Sequence, residues 1–175
     1  MTTTRAWLAA SLAAGAIAIS VNSALLAACD AMGLSTARGG LLKLVLNGAA
    51  PMADLLGFAP WWQGSVVPIA SGSGFQFGFH ILVGLLMAIF YATAVEPVLT
   101  GPSWWKGLLY AAGVWLLNAF AVLPLIGEGV AGFHHLSVAG MAAYAAIHTA
   151  FFVLMAILYR FFIDLSARSV AHRVA

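Results

Sequence analysis

Two histidines lie in long apolar stretches, and each opens a stripe at helical spacing: His80, Gly84, Met87 and Tyr91, then His148, Phe152, Met155 and Tyr159. Ionisable groups inside membrane-length apolar segments are functional hypotheses by default, because burying them in lipid is costly. Two imidazoles at one depth suit axial ligation of a b-type haem or capture of a metal ion, which makes His80 and His148 candidate cofactor-binding residues. The plainer alternative has each ring hydrogen-bonded to a neighbouring backbone or tyrosine. A second constellation, His134 and His135 with Glu128, offers nitrogen and oxygen ligands to a Zn or Cu ion from a short Gly-rich stretch. Solvated loop histidines are its competing account. His172, near the C-terminus, reads as solvated. The residues favour neither haem b nor a Zn or Cu ion, and the cofactor is left open.

Fewer groups serve other chemistries. Asn22 and Asn118 are polar residues in apolar stretches, suited to interhelical hydrogen bonds or to lining a solute path. The small pairs Ser11-Gly15, Ala14-Ala18, Gly74-Gly78 and Ala142-Ala146 allow close helix approach. No phosphate-cradling glycine motif occurs, so nucleotide binding has no support. Few general acids or bases exist, and no nucleophilic triad can be assembled from them. The single cysteine, Cys29, excludes an internal disulfide. Leu26-Ala27-Ala28-Cys29, behind Arg5 and an apolar run, matches a bacterial lipoprotein signal. We read residues 6–29 as a retained helix, with a lipid-modified Cys29 as the alternative.

The elements that position these groups follow from composition. Of 175 residues, 63% are hydrophobic and 7% charged, where a soluble domain has about 45–50% and about 25%. Mean hydropathy is +1.03. Seven basic and five acidic residues cannot clothe a soluble globule of this size, nor do they make a nucleic-acid footprint. The chain reads as an all-α membrane protein, a single polytopic domain over 1–175. Residues 6–29, 55–95, 107–127 and 129–159 carry no Asp, Glu, Lys or Arg. A crossing needs about 20 apolar residues, and these gaps predict helices at about 7–29, 71–95, 105–126 and 137–161. Pro97, Gly101 and Pro102 end the second, and Gly127, Gly129 and Gly132 divide the third from the fourth. Trp104 and Trp105 beside Lys106 suit an interfacial belt.

Residues 40–60 are long enough to cross but contain Lys43, Asn47, Pro51 and Asp54. Charge at the bilayer centre costs about 2.5–3.5 kcal/mol per residue, and Pro51 could split the segment into half-helices. A re-entrant or interfacial element is the preferred reading, and a fifth crossing the alternative. Four crossings with an inside N-terminus place Arg38 and Lys43 outside, whereas five place only Arg5 outside. The second arrangement obeys the positive-inside rule better. Both put the C-terminus in the cytoplasm.

An offset of 68 superimposes His80, Leu86-Met87-Ala88-Ile89 and Tyr91 on His148, Leu154-Met155-Ala156-Ile157 and Tyr159. Gly72 then meets Gly140, Glu96 meets Asp164, and Arg38-Gly39 meets Lys106-Gly107. This predicts a parallel internal repeat about an axis along the membrane normal. Over about residues 70–165, Phe79-His80-x3-Gly84-x6-Tyr91 and His148-x10-Tyr159 resemble small bacterial inner-membrane proteins of about four helices, classed as a domain of unknown function. Phe152 stands where a repeated Gly84 would fall. The resemblance implies an architecture and a bacterial inner-membrane location, and no chemistry. The resulting expectation is a non-enzymatic structural or accessory subunit, packed in the bilayer against other membrane subunits or its own copies. A haem- or metal-binding electron carrier using His80 and His148 is the alternative, and a small-solute channel or transporter the third.

Overall fold

The computed structural model describes residues 3–36 and 39–174, with side chains for 6–36 and 39–169. Arg38 and the side chains of Arg5 and His172, all used in the readings above, lie outside the described residues. Regular structure among the described residues is entirely helical. Helix α1 is Thr3–Ala31 and α2 is Gly40–Leu55. Helix α3 covers 59–71 and contains a π-turn at Trp62–Val66. Helix α4, Ser73–Phe90, continues through a π-turn at Tyr91–Val95. Helix α5 begins as Ser103–Leu117 and passes a π-turn at Asn118–Val122 to end at Leu125. A 3-10 turn at Val130–Gly132 precedes α6, Val138–Val174. Four stretches are long and apolar enough to cross a bilayer: Ala6–Ala31, Ser73–Val95, Ser103–Leu125 and Val138–Ser169. These agree with the four helices read from the charge gaps, although α6 continues well past 161.

Side-chain meetings fix the directions. Asn22 meets His80 and Ile147, Gly15 faces Ala88, and Ser35 lies beside Gly140. Helix α1 is therefore antiparallel to both α4 and α6. Gly107 lies on Phe152 and Ala156 while Asn118 reaches Tyr144, so α5 is antiparallel to α6. Around the bundle the order is α4, α1, α6, α5. Close approach is set by missing side chains. A Cβ on Gly84 would come within 2.5 Å of Ile19, and one on Gly107 within 2.8 Å of the Phe152 carbonyl oxygen. Ser11, Ala14 and Ala18 are fully buried on α1, against a core that includes Ala88, Tyr91, Met155 and Ala156. The pairs Gly74-Gly78 and Ala142-Ala146 are exposed instead.

These directions give the bundle two ends. The terminal end holds the start of α1, residues 96–102 and the end of α6. The hairpin end holds residues 32–72 and 126–137. Helix α2 leaves it and α3 returns to it, so this segment begins and ends at one end of the bundle. A fifth single crossing would require α1 and α4 to run parallel, and their antiparallel contacts remove that alternative. Pro51 does not split α2, which runs through it to Leu55. The chain reverses at Gly57, whose φ of +76° suits a residue without Cβ. There Phe58 N–H donates to the Ala53 carbonyl at 2.7 Å, and Gly57 N–H to that of Asp54 at 3.0 Å, closing a Schellman cap.

Candidate functional site

In the half of the bundle nearer the hairpin end, α4 and α5 stand apart. They meet chiefly lower down, where Tyr110 Oη donates to the Met87 carbonyl at 3.3 Å and to its Sδ at 3.0 Å. The gap is a cavity of about 390 Å³, within the range of small-molecule sites. The first residues of α2 cover part of its mouth, Gly40 lying against Leu123 and Ile126. Phe77 and Leu117 line it and are 60% and 62% exposed, so it opens sideways between α4 and α5. Its walls are mostly apolar, with Phe79, Val83, Met87, Phe151 and Phe152 among them. Among the described residues, neither Asp, Glu, Lys nor Arg lines it.

Its polar groups come from all four long helices. Asn22 Nδ2 donates to the Ile147 carbonyl at 3.3 Å, which leaves Oδ1 as an acceptor. His80 Nε2 lies 3.1 Å from that oxygen and therefore donates to it. On α6, His148 Nδ1 is 2.9 Å from the Tyr144 carbonyl, an acceptor only, so the ring carries its proton there. The Nε2 atom of neutral His148 is then an acceptor, and it has no hydrogen bond among the described residues. The Tyr144 ring lies tilted against His148 at 4.1 Å between ring centroids, and its hydroxyl accepts from Asn118 Nδ2 at 2.6 Å.

The structure thus brings together His80 and His148, which the sequence paired, with Asn22 and Asn118, which it singled out separately from them. His80 and His148 line the same cavity and lie within electrostatic range of one another. Tyr144 was missed, although its place one helical turn before His148 was a signal. The π-turn that starts at Asn118 had none; such turns recur at functional sites.

The loop constellation does not assemble as a trio. His135 Nδ1 pairs with Glu128 at 2.7 Å, and Lys43 Nζ reaches the other carboxylate oxygen at 2.9 Å, tying α2 to the loop. The Lys43 hydrogen bond, helped by its charge and by His135, holds the Glu128 carboxyl below its ordinary range against the opposing effect of burial. His134 turns away, and its Nδ1 donates to the Gly127 carbonyl at 3.2 Å. Among the described residues, no three His, Cys, Asp or Glu side chains gather as a metal site would need.

A third cluster, at the terminal end, was not foreseen. Tyr91 Oη donates to Glu96 at 2.6 Å and Lys106 Nζ to the same carboxylate at 2.9 Å. The π-turn at Tyr91–Val95 separates donor from acceptor. Lys106, read as interfacial, is 9% exposed. Tyr91 also meets Tyr159, its counterpart under the 68-residue offset, edge to face at 5.7 Å.

Four apolar helices of spanning length, around an interior that carries the bundle's histidines and amides, define a helical membrane protein. Comparison with family models, curated proteins and solved structures finds no match for this chain.

Proposed function

We propose that the protein is a non-enzymatic accessory subunit of the bacterial inner membrane whose bundle holds a small lipid-soluble molecule. The observation that carries this reading is the cavity between α4 and α5: apolar walls, a lateral opening and a few convergent polar groups are the marks of a ligand site. Among the described residues, the Ser23 hydroxyl in its lining has no hydrogen bond to a histidine base, which favours holding over turnover. Mass spectrometry of organic extracts from detergent-purified protein tests the reading. One compound should be enriched in wild type and lost when Val83→Trp fills the cavity. Equal extracts from the two would count against it.

Haem ligation by both histidines is less well supported. His148 has the arrangement of an axial ligand, with Nδ1 on a backbone carbonyl and Nε2 turned elsewhere. His80 commits Nε2 to Asn22. The channel reading loses support from the buried tyrosines and Met155 below the cavity.

The partner part of the proposal rests on a separate observation. Gly74 and Gly78 lie on an exposed face, and a Cβ at either would meet no atom within 4 Å. Such a surface suits a second helix, whether another subunit or another copy of the chain. Crosslinking in mild detergent from cysteines placed at Gly74 and Gly78 should capture a partner, and recovery of uncrosslinked monomer alone would remove this part. The meeting of Tyr91 and Tyr159 supports an old duplication.

A further inference from the structure

We propose that the cavity recognises a ring hydroxyl: its ligand is a lipid-soluble phenol or hydroquinone whose apolar tail leaves between α4 and α5. This rests on the reading of the cavity as a ligand site and adds the chemistry of the headgroup.

Two polar atoms lie one turn apart on α6 and face the cavity. The His148 Nδ1 proton is held by the Tyr144 carbonyl at 2.9 Å, which makes Nε2 an acceptor with no partner among the described residues. The Tyr144 hydroxyl accepts from Asn118 at 2.6 Å, and its own proton has no acceptor among them. Both residues line the cavity, and their rings lie side by side at 4.1 Å. His148 and Tyr144 therefore present one acceptor and one donor together, and the buried Ser23 Oγ, also without a hydrogen-bond partner among the described residues, lines the same cavity. A hydroxyl matches both, donating to His148 Nε2 and accepting from Tyr144. An ether or a ketone only accepts, and would leave the imidazole nitrogen unpaired in apolar surroundings.

The surroundings select the rest of the molecule. Phe79, Phe151 and Phe152 wall the cavity, the last two with ring centroids 4.8 Å apart, and aromatic faces and edges favour a flat ring over an alkyl alcohol. Among the described residues no charged side chain lines the cavity, so none of them offers a counter-ion to a carboxylate or phosphate headgroup. The lateral opening gives a tail direct passage to the bilayer.

Calorimetric titration of the full chain in lipid nanodiscs, with empty nanodiscs as baseline, separates the layers of this argument. The probes are decylhydroquinone, 4-decylphenol, decylhydroquinone dimethyl ether and iron protoporphyrin. The hydroquinone or the phenol should bind at least tenfold more tightly than the ether. Equal affinity for the two hydroxyl probes would identify a phenol site, and a tenfold preference for the hydroquinone a quinol site. His148→Leu should remove the preference and leave ether binding unchanged, which also reports that the variant is folded. Were that variant not to fold, the wild-type ratio of hydroxyl probe to ether decides. Equal binding of all three decyl probes, abolished by Val83→Trp, would overturn the hydroxyl inference and leave the cavity reading standing. Binding that Val83→Trp does not change would overturn both. A Soret band from tightly bound protoporphyrin, lost in His148→Leu, would replace the phenol with haem.

Discussion

Asn22 hydrogen-bonds two other helices at once, donating to α6 through the Ile147 carbonyl and accepting from His80 on α4. It is 1% exposed. Asn22→Ala should therefore cost about 1–3 kcal/mol, the penalty for buried polar groups left unpaired. Thermal unfolding in detergent measures it, and a loss below about 0.5 kcal/mol would mean that the bonds re-form with other partners. Both residues were visible in the sequence as polar intrusions in apolar runs. Their pairing was not, because no periodicity relates positions on different helices. The same limit hid Tyr144: a tyrosine near the end of an apolar run looks like an interfacial anchor until Asn118 is found on its hydroxyl. Lys106, beside Trp104 and Trp105, reads as an interfacial cation, but its partner was hidden: the turn at Gly101-Pro102 folds it back onto Glu96.

Helix packing here is decided at glycines where the partner is backbone. At Gly107 an added Cβ would sit 2.8 Å from both the Phe152 oxygen and the Val153 Cα, atoms of a long helix that cannot move aside singly. Gly107→Val should push α5 off α6 and destabilise the bundle by about 1–3 kcal/mol. Gly113→Ala, with nothing within 4 Å of its Cβ, should be neutral or slightly stabilising in the same unfolding assay. Equal effects at the two sites would refute the packing argument. Small-residue spacing pointed to Gly15 and to Ala14-Ala18, which are indeed buried, but passed over Gly84 and Gly107. Spacing marks where helices can approach and cannot say which face is used. The attachment of α2 is a charge effect of modest size. With the Glu128 carboxyl held below its ordinary value of 4.5, the Lys43 bond contributes at neutral pH and is lost as pH falls through the lowered value. A partly exposed pair of this kind contributes about 0.2–1 kcal/mol. The distance between spin labels at Val45 and Val130 should thus stay fixed at neutral pH and broaden only below the ordinary carboxylate range, and Glu128→Gln should show the broadened distribution at neutral pH. A distribution that Glu128→Gln leaves unchanged would show that α2 is held by packing alone.

For the whole molecule, charge gaps and Gly/Pro breaks made the number of long helices legible, because lipid requires uninterrupted apolar runs. The arrangement of residues 40–60 was not legible. Basic-residue counting favoured five crossings on a difference of one residue, whereas the antiparallel pairing of α1 with α4 rests on several close contacts. Directions now follow without counting loops. The start of α1, residues 96–102 and the end of α6 share one end, and that end carries Lys106, Arg160 and Arg168, with Arg5 and Arg173 beyond the described side chains. The hairpin end carries Lys43 and, in the sequence, Arg38. Under the inner-membrane location proposed above, retention of positive charge in the cytoplasm would put the termini inside. Reporter fusions within 97–103 and after Ala175 should read cytoplasmic, and those within 127–135 periplasmic. The opposite pattern would invert the bundle and place the cavity in the inner leaflet. The hairpin follows from the same orientation. Its apolar residues Met52, Leu55, Phe58 and Trp61 are exposed on the isolated chain, and contact with the outer leaflet would cover them. Single cysteines at Val45 and Leu55 should therefore resist a water-soluble thiol reagent in intact membranes. A cysteine at Val130, in the loop, should react. Free labelling of all three would show α2 and α3 standing in water.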